Sequence, residues 1–350
     1  MKGEKMDYII EVRNKGEAHA GAKAPDDIAE ICRRRGMKSF VIPPMPFDKN
    51  LFYRQFVLLI ESIKVWIHIA KTVKNGDRVI WQHPAPGVRY ANRFIPWIKK
   101  RKKVEFIALI HDLETLRDGI GQQRKSTAII ADLKLLPRFD YVISHNKFMS
   151  EYLHSIGISS EKIVNLEIFD YLYNEPVPEI IRNNGKKVIV AGNLTREKSG
   201  YVYKLKELNV DMCLYGVNYE GDIPDDIYKG AFSPDELIQH LEGNFGLVWD
   251  GTSVEKCTGN TGAYLKYNNP HKTSLYLAAN LPVIIWSQAA MADFVKRNNI
   301  GIVIDDLHHL SECLKGVSEK DYQEMQQNVR MIGKKIRQGY YFNTALDALK

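Results

Sequence analysis

Short apolar runs separated by longer amphipathic stretches recur along the whole chain. The runs at 8–12, 38–42, 78–82, 104–110 and 139–144 are brief and rich in β-branched residues, as buried strands are. Between them, near 51–74, 88–102, 124–136 and 146–156, apolar positions recur at helical spacing. Pro25 with Asp26 and Asp27 carries the signals that open a further helix, and Gly36 those that close it. Strand and helix in alternation predict an α/β fold, a doubly wound parallel sheet covered on both faces. The stretch 51–70 is apolar enough to raise the question of a membrane span. Arg54, Glu61, Lys64 and His68 interrupt it, which predicts a long core helix instead.

The text changes at Asn174-Glu175-Pro176-Val177-Pro178 and Asn183-Asn184-Gly185, a Pro/Asn/Gly stretch that reads as a linker. Alternation then resumes, with strands near 187–191, 211–215, 245–249, 282–285 and 301–304 and helices near 199–208, 234–242, 271–279, 290–298 and 307–315. The pattern predicts one doubly wound domain over 1–174 and a second over 186–330. A chain of 350 residues accommodates two such cores. With 45% apolar and 26% charged residues it has ordinary globular composition, so fibrous and disordered classes drop out. The start, MKGEKMDYIIEVRNKGE, lacks the apolar core of a secretory leader, and a cytoplasmic location is expected. Cys32, Cys213, Cys257 and Cys313 are too scattered to suggest disulfides or zinc, and no metal site is expected.

Charge separates the halves. Residues 1–175 carry 29 Lys+Arg against 21 Asp+Glu, a balance of +8, while residues 176–350 carry 20 against 21. The first half is therefore expected to face something acidic. Its densest run, Lys99 to Lys103 behind Phe94, Trp97 and Ile98, suits either a solvated helix end or a lipid interface. Nucleic acid is not expected, because no recognisable binding module accompanies the charge.

In open α/β sheets ligands bind beyond the carboxyl ends of the strands. After the first strand, Asn14 to Lys23 resembles a phosphate loop, but Ala22 separates Gly21 from Lys23, which excludes an ATP-binding Walker motif. His19 in that loop is a candidate to reach a bound acceptor. Gly119-Ile120-Gly121 lacks the third glycine of a dinucleotide fingerprint. His111 and Asp112 end the fourth strand, where a carboxylate can act as general base or merely cap a turn. In the second half, Gly192-Asn193-Leu194-Thr195-Arg196 and Lys266-Tyr267-Asn268-Asn269-Pro270-His271-Lys272 combine tight turns, cations and a helix start, which together suit a diphosphate.

His111-Asp112, Ser144-His145-Asn146 and above all Asn268 to Leu277, followed by Leu281-Pro282-Val283-Ile284, resemble the bacterial glycosyltransferases that include β-1,6-galactofuranosyltransferases and related exopolysaccharide and adhesin glucosyltransferases. The resemblance implies a GT-B fold, two Rossmann-like domains facing an interdomain cleft, with a C-terminal helix over 331–350 returning towards the N-terminal domain. It also implies a UDP-sugar donor in the C-terminal domain, a saccharide acceptor in the N-terminal domain, lipid-linked or on a protein, and transfer without a metal or other cofactor. The expected donor residues are Asn193, Arg196, Tyr215, Phe232, Lys266, Asn269, His271 and Lys272. Gly21, His83 and His111 are expected at the acceptor, with Asp112 as first candidate base and His19 as second. Retaining enzymes of this fold usually carry a Glu-x7-Glu pair in the donor domain. None occurs after residue 185, which favours inversion. A sugar-nucleotide epimerase is the alternative, weakened by the missing glycine fingerprint.

Overall fold

The computed structural model describes residues 5–12, 20–43, 50–117, 126–178, 185–221 and 227–349. The chain forms two units, Met1–Glu17 with Pro25–Leu166 and Phe342–Lys350, and Ala18–Ala24 with Glu167–Tyr341.

In the first unit β1 (Asp7–Val12), β2 (Lys38–Ile42), β3 (Arg78–His83), β4 (Glu105–Ile110), β5 (Tyr141–Ser144) and β6 (Ile163–Asn165) form one sheet in the order β2-β1-β3-β4-β5-β6. Every pairing is parallel. Parallel strands buried on both faces need continuous apolar sequence, and Ile107, Ala108, Leu109 and Ile110 of β4 are all buried. The second unit repeats the plan with β7 (Val188–Ala191), β8 (Met212–Tyr215), β9 (Phe245–Val248), β10 (Val283–Trp286) and β11 (Gly301–Ile304), in the order β11-β10-β9-β7-β8. These are two doubly wound parallel sheets, the expected fold class.

Three elements depart from the sequence pattern. The first helix runs from Ala20 to Arg34, so Pro25 lies inside it rather than at its start. The expected helix near 124–136 is, over its described part, a helical turn at Ser126–Ala128 followed by a π-helix, Ile129–Leu135. The helix Leu51–Thr72 exists at the predicted length but is no core helix, since only Ser62, Trp66 and Ile69 are buried. Apolar content fixed its helicity but not which side faces water.

Candidate active site

In the second unit the strand ends and one helix assemble a polar cluster. The helix His271–Ala278 follows Pro270, whose fixed φ suits a helix entry but whose side chain offers no cap, so the first N–H groups are not capped by a side chain. Its Tyr276 hydroxyl accepts the Ala191 N–H at the end of β7 (2.7 Å). One turn earlier, Lys272 Nζ donates to Asp250 Oδ1 (2.7 Å) and to the Trp249 carbonyl (3.1 Å), just beyond the end of β9. Both side chains of this ion pair are largely buried. Three buried polar atoms at the same helix entry have no hydrogen-bond partner: Asn268 Oδ1, His271 Nε2 and Thr273 Oγ1. Burial and the nearby Lys23 ammonium push the His271 pKa down to about 4, so its ring is neutral at pH 7. The ring stacks on Tyr171 (5.1 Å), which Lys23 covers from 5.0 Å.

The other expected donor residues each have partners of their own. Asn193 organises its own loop, accepting from the Thr195 N–H (3.1 Å) and the Asn218 amide (3.2 Å). Arg196 is exposed, lies over the Tyr203 ring (4.2 Å) and donates to the Glu220 carbonyl (2.9 Å). Lys266 is exposed above the Trp286 ring (5.4 Å), next to Trp249 (6.3 Å). Asn269 is buried and donates to the Glu167 carbonyl (3.1 Å). The Tyr215 ring lies in the core, its hydroxyl donating to the His240 carbonyl (2.7 Å) and accepting the Glu242 N–H (3.0 Å). Phe232 is half-buried and stacks on His240 (3.9 Å). Behind Tyr215, Gly216 and Gly192 meet backbone to backbone. Both have φ of 144°, and a Cβ on Gly216 would stand 1.7 Å from the Gly192 oxygen.

In the first unit several polar groups at the strand ends pair with one another. His83, at the end of β3, is wholly buried, with Nε2 2.9 Å from Asp132 Oδ1. Asp132 Oδ2 also accepts from the Thr115 N–H (2.7 Å) and hydroxyl (2.8 Å). The π-helix delivers that carboxylate to this site. His83, expected at the acceptor, is thus placed inside the protein, and its Nδ1 has no hydrogen-bond partner. Its carbonyl accepts the His111 N–H (2.7 Å), and the half-buried His111 ring pairs with Gln82 Oε1 (2.8 Å). His145 is buried against the Ile110 carbonyl (3.0 Å), and burial pushes its pKa down to about 4. Asp112 is the accessible acid here. Its side chain is 36% exposed, 3.0 Å from the Arg117 guanidinium. Gly21 falls in the first turn of the helix Ala20–Arg34. His19 lies outside the described residues.

Sequence reasoning missed Asp250, Asp132 and Lys23. Asp250 was accessible to the strand-end rule, since it follows the run Phe245 to Trp249. No sequence signal ties Asp132 to His83, 49 positions away. Among the described residues no group of three or more His, Cys, Asp or Glu is arranged to hold a metal ion.

Two doubly wound parallel sheets, and the named activities of the relatives, define a glycosyltransferase of the GT-B fold. The chain belongs to the Glucosyltransferase 3-like family: the model of its N-terminal domain matches residues 6–168 and that of its C-terminal domain residues 188–349. The β-1,6-galactofuranosyltransferase WbbI of Escherichia coli (strain K12) is 35% identical over 97% of each chain. Among solved structures, sucrose-phosphate synthase of Thermosynechococcus elongatus superposes with a TM-score of 0.63 at 12% identity, covering 98% of this chain and 97% of that one. Anabaena Alr3699/HepE in complex with UDP-glucose gives 0.59 at 12% identity, covering 98% and 100%. The epimerase alternative is set aside, because the family and this E. coli relative are named as transferases.

Proposed function

We propose that the protein is an inverting hexosyltransferase that moves galactofuranose or glucose from a UDP-sugar to a saccharide acceptor in cell-surface polysaccharide or glycoprotein assembly. The observation that carries the donor part is the helix entry at His271. Three buried polar atoms lack partners there, and Lys272 stands beside them. An ammonium has three N–H donors, and Asp250 and the Trp249 carbonyl take two of Lys272's. The third donor and the uncapped helix N–H groups suit a diphosphate oxygen. Negative charge grows on that diphosphate as the glycosidic bond to the donor breaks, so fixed donors stabilise the transition state more than the ground state. The leaving group is met in this way without a metal ion. The names of the relatives support both sugars, one being a galactofuranosyltransferase and the family being named for a glucosyltransferase.

The acceptor is assigned to the first unit, with Asp112 as general base. His83 and Asp132 are wholly buried and hold the loop, whereas the Asp112 carboxylate is exposed enough to take a proton from an acceptor hydroxyl. The missing Glu-x7-Glu pair supports inversion. Among the described residues no helix is long and apolar enough to cross a membrane. A cytoplasmic enzyme in peripheral contact with a membrane through its basic first half, acting on a lipid-linked or protein-borne acceptor, fits that charge. The test is UDP release from UDP-glucose and UDP-galactofuranose, with the anomeric configuration of the product read by NMR. Product of inverted configuration, formed at an undiminished rate in EDTA, is expected. A retained configuration, or activity lost in EDTA and restored by magnesium, overturns the reading.

A further inference from the structure

The helix Leu51–Thr72 turns large apolar side chains to water. Phe52, Phe56, Leu59, Ile63 and Ile67 recur at spacings of four, three, four and four, which places them on one stripe. Phe52 is 84% and Phe56 51% exposed. At 1.5 Å per residue the 22-residue helix is about 33 Å long, so the stripe is a line rather than a spot. Lys64 and Lys71 border it, each four residues beyond an isoleucine, Ile60 and Ile67. On the neighbouring helix Val88–Lys99, Trp97 is 44% exposed, with the Arg101 guanidinium 4.2 Å over its ring, and meets Phe94 (6.2 Å), which stacks on Trp66 of the long helix (6.0 Å).

The charge around the stripe decides what covers it. Residues 50–103 hold twelve Lys+Arg and two Asp+Glu. Some of these cations have internal duties: Lys99 pairs with Asp140 (2.6 Å), and Lys102 donates to the carbonyls of Ala70 and Val73 (2.6 Å each). Lys100, Arg101 and Lys103 remain on or near the surface. A second copy laid on the stripe would bring equal positive charge against it. An anionic bilayer surface meets both demands, since phenylalanine and tryptophan partition into the headgroup boundary while lysine and arginine attract acidic lipids.

We propose that the helix Leu51–Thr72, together with Trp97, is a docking surface for a membrane rich in anionic phospholipid, the helix lying along the interface with Phe52 and Phe56 inserted. This deepens the membrane contact of the proposed function and does not depend on the donor chemistry. The full-length protein is sedimented with phosphatidylcholine vesicles with and without phosphatidylglycerol. Binding only with phosphatidylglycerol, weakened by salt, is expected. Phe52→Ser/Phe56→Ser should lower partitioning by at least tenfold, because two inserted apolar rings are lost. UDP affinity measured without vesicles should stay unchanged, which separates this proposal from the donor assignment. Trp66, Trp81, Trp249 and Trp286 are buried, so brominated lipid should quench only Trp97, and Trp97→Phe should remove the signal. That measurement stands even if the double variant fails to fold. Absence of wild-type binding to anionic vesicles, or no quenching of Trp97, overturns the proposal. So does a wild-type dimer that the double variant converts to monomer, which would make a second copy the occupant.

Discussion

Beyond the carboxyl ends of their strands the two units differ in how unpartnered polar atoms are gathered: His83 Nδ1 at the end of β3 in the first, against Asn268 Oδ1, His271 Nε2 and Thr273 Oγ1 at one helix entry in the second. Asp132 accepts from His83 and twice from Thr115, and the half-buried His111 pairs with Gln82. Around His271 the corresponding region keeps three orphaned polar atoms beside a cation. An unpaired buried donor or acceptor costs about 1–3 kcal/mol, so such a cluster persists where a ligand repays it. Two sheets of one plan thus divide the work. On the proposed function, one carries the candidate base, Asp112, and the other the helix entry assigned to the diphosphate.

The sharpest test of this division is Asp112→Asn. General-base catalysis contributes roughly 10²–10⁴-fold, and turnover should fall by that order while UDP affinity is unchanged. Near-normal turnover would move the base away from the end of β4.

Asp132→Ala should act in the opposite sense. It strands the Thr115 N–H and His83 Nε2, leaves the Thr115 hydroxyl only its contact with the Tyr152 hydroxyl (3.1 Å), and should cost about 3 kcal/mol in urea unfolding. Calorimetric UDP affinity should not change; if it does, the Asp132 network of the first unit is part of donor binding and the contrast fails.

Lys272→Ala is expected to weaken UDP binding about ten- to a hundredfold, the loss of one charge-assisted hydrogen bond. It also leaves Asp250 buried without its cation, so a lower melting temperature accompanies the change. Unaltered UDP affinity would remove Lys272 from the receptor.

The smallest effect is shared by both units. His145 and His271 titrate at about 4 when folded, against about 6.5 for a free imidazole, so the unfolded chain takes up their protons first as pH falls. Their contribution is intact above pH 6.5 and is lost as pH falls from about 6.5 towards 4. Melting temperatures measured over that range should decline, and His145→Gln and His271→Gln should each flatten the decline. A pH-independent melting temperature there would show that neither ring is held neutral.

Much of the framework is legible in the apolar runs, because a strand buried on both faces must be apolar throughout, as Ile107 to Ile110 are. The helix entry at His271 was legible too, through Pro270 and the lysines around it. The partners of those groups were not. Lys272 meets Asp250 and His83 meets Asp132 only through sheet order and an irregular helical turn, neither of which has a local sequence signature. The stripe at Phe52 was misread for a related reason: periodicity identifies an apolar face without saying what covers it.

The backbone contact between Gly192 and Gly216 bears on redesign of the enzyme. Any side chain at 216 would collide with the neighbouring loop, and any at 192 would have to adopt a φ that side chains rarely take. Neither position can therefore carry sugar preference, although both sit at the mouths of adjacent strands. Mutant libraries aimed at a different donor should keep the two glycines constant and vary polar side chains of the same loops, such as the hydrogen-bonded pair Asn193 and Asn218.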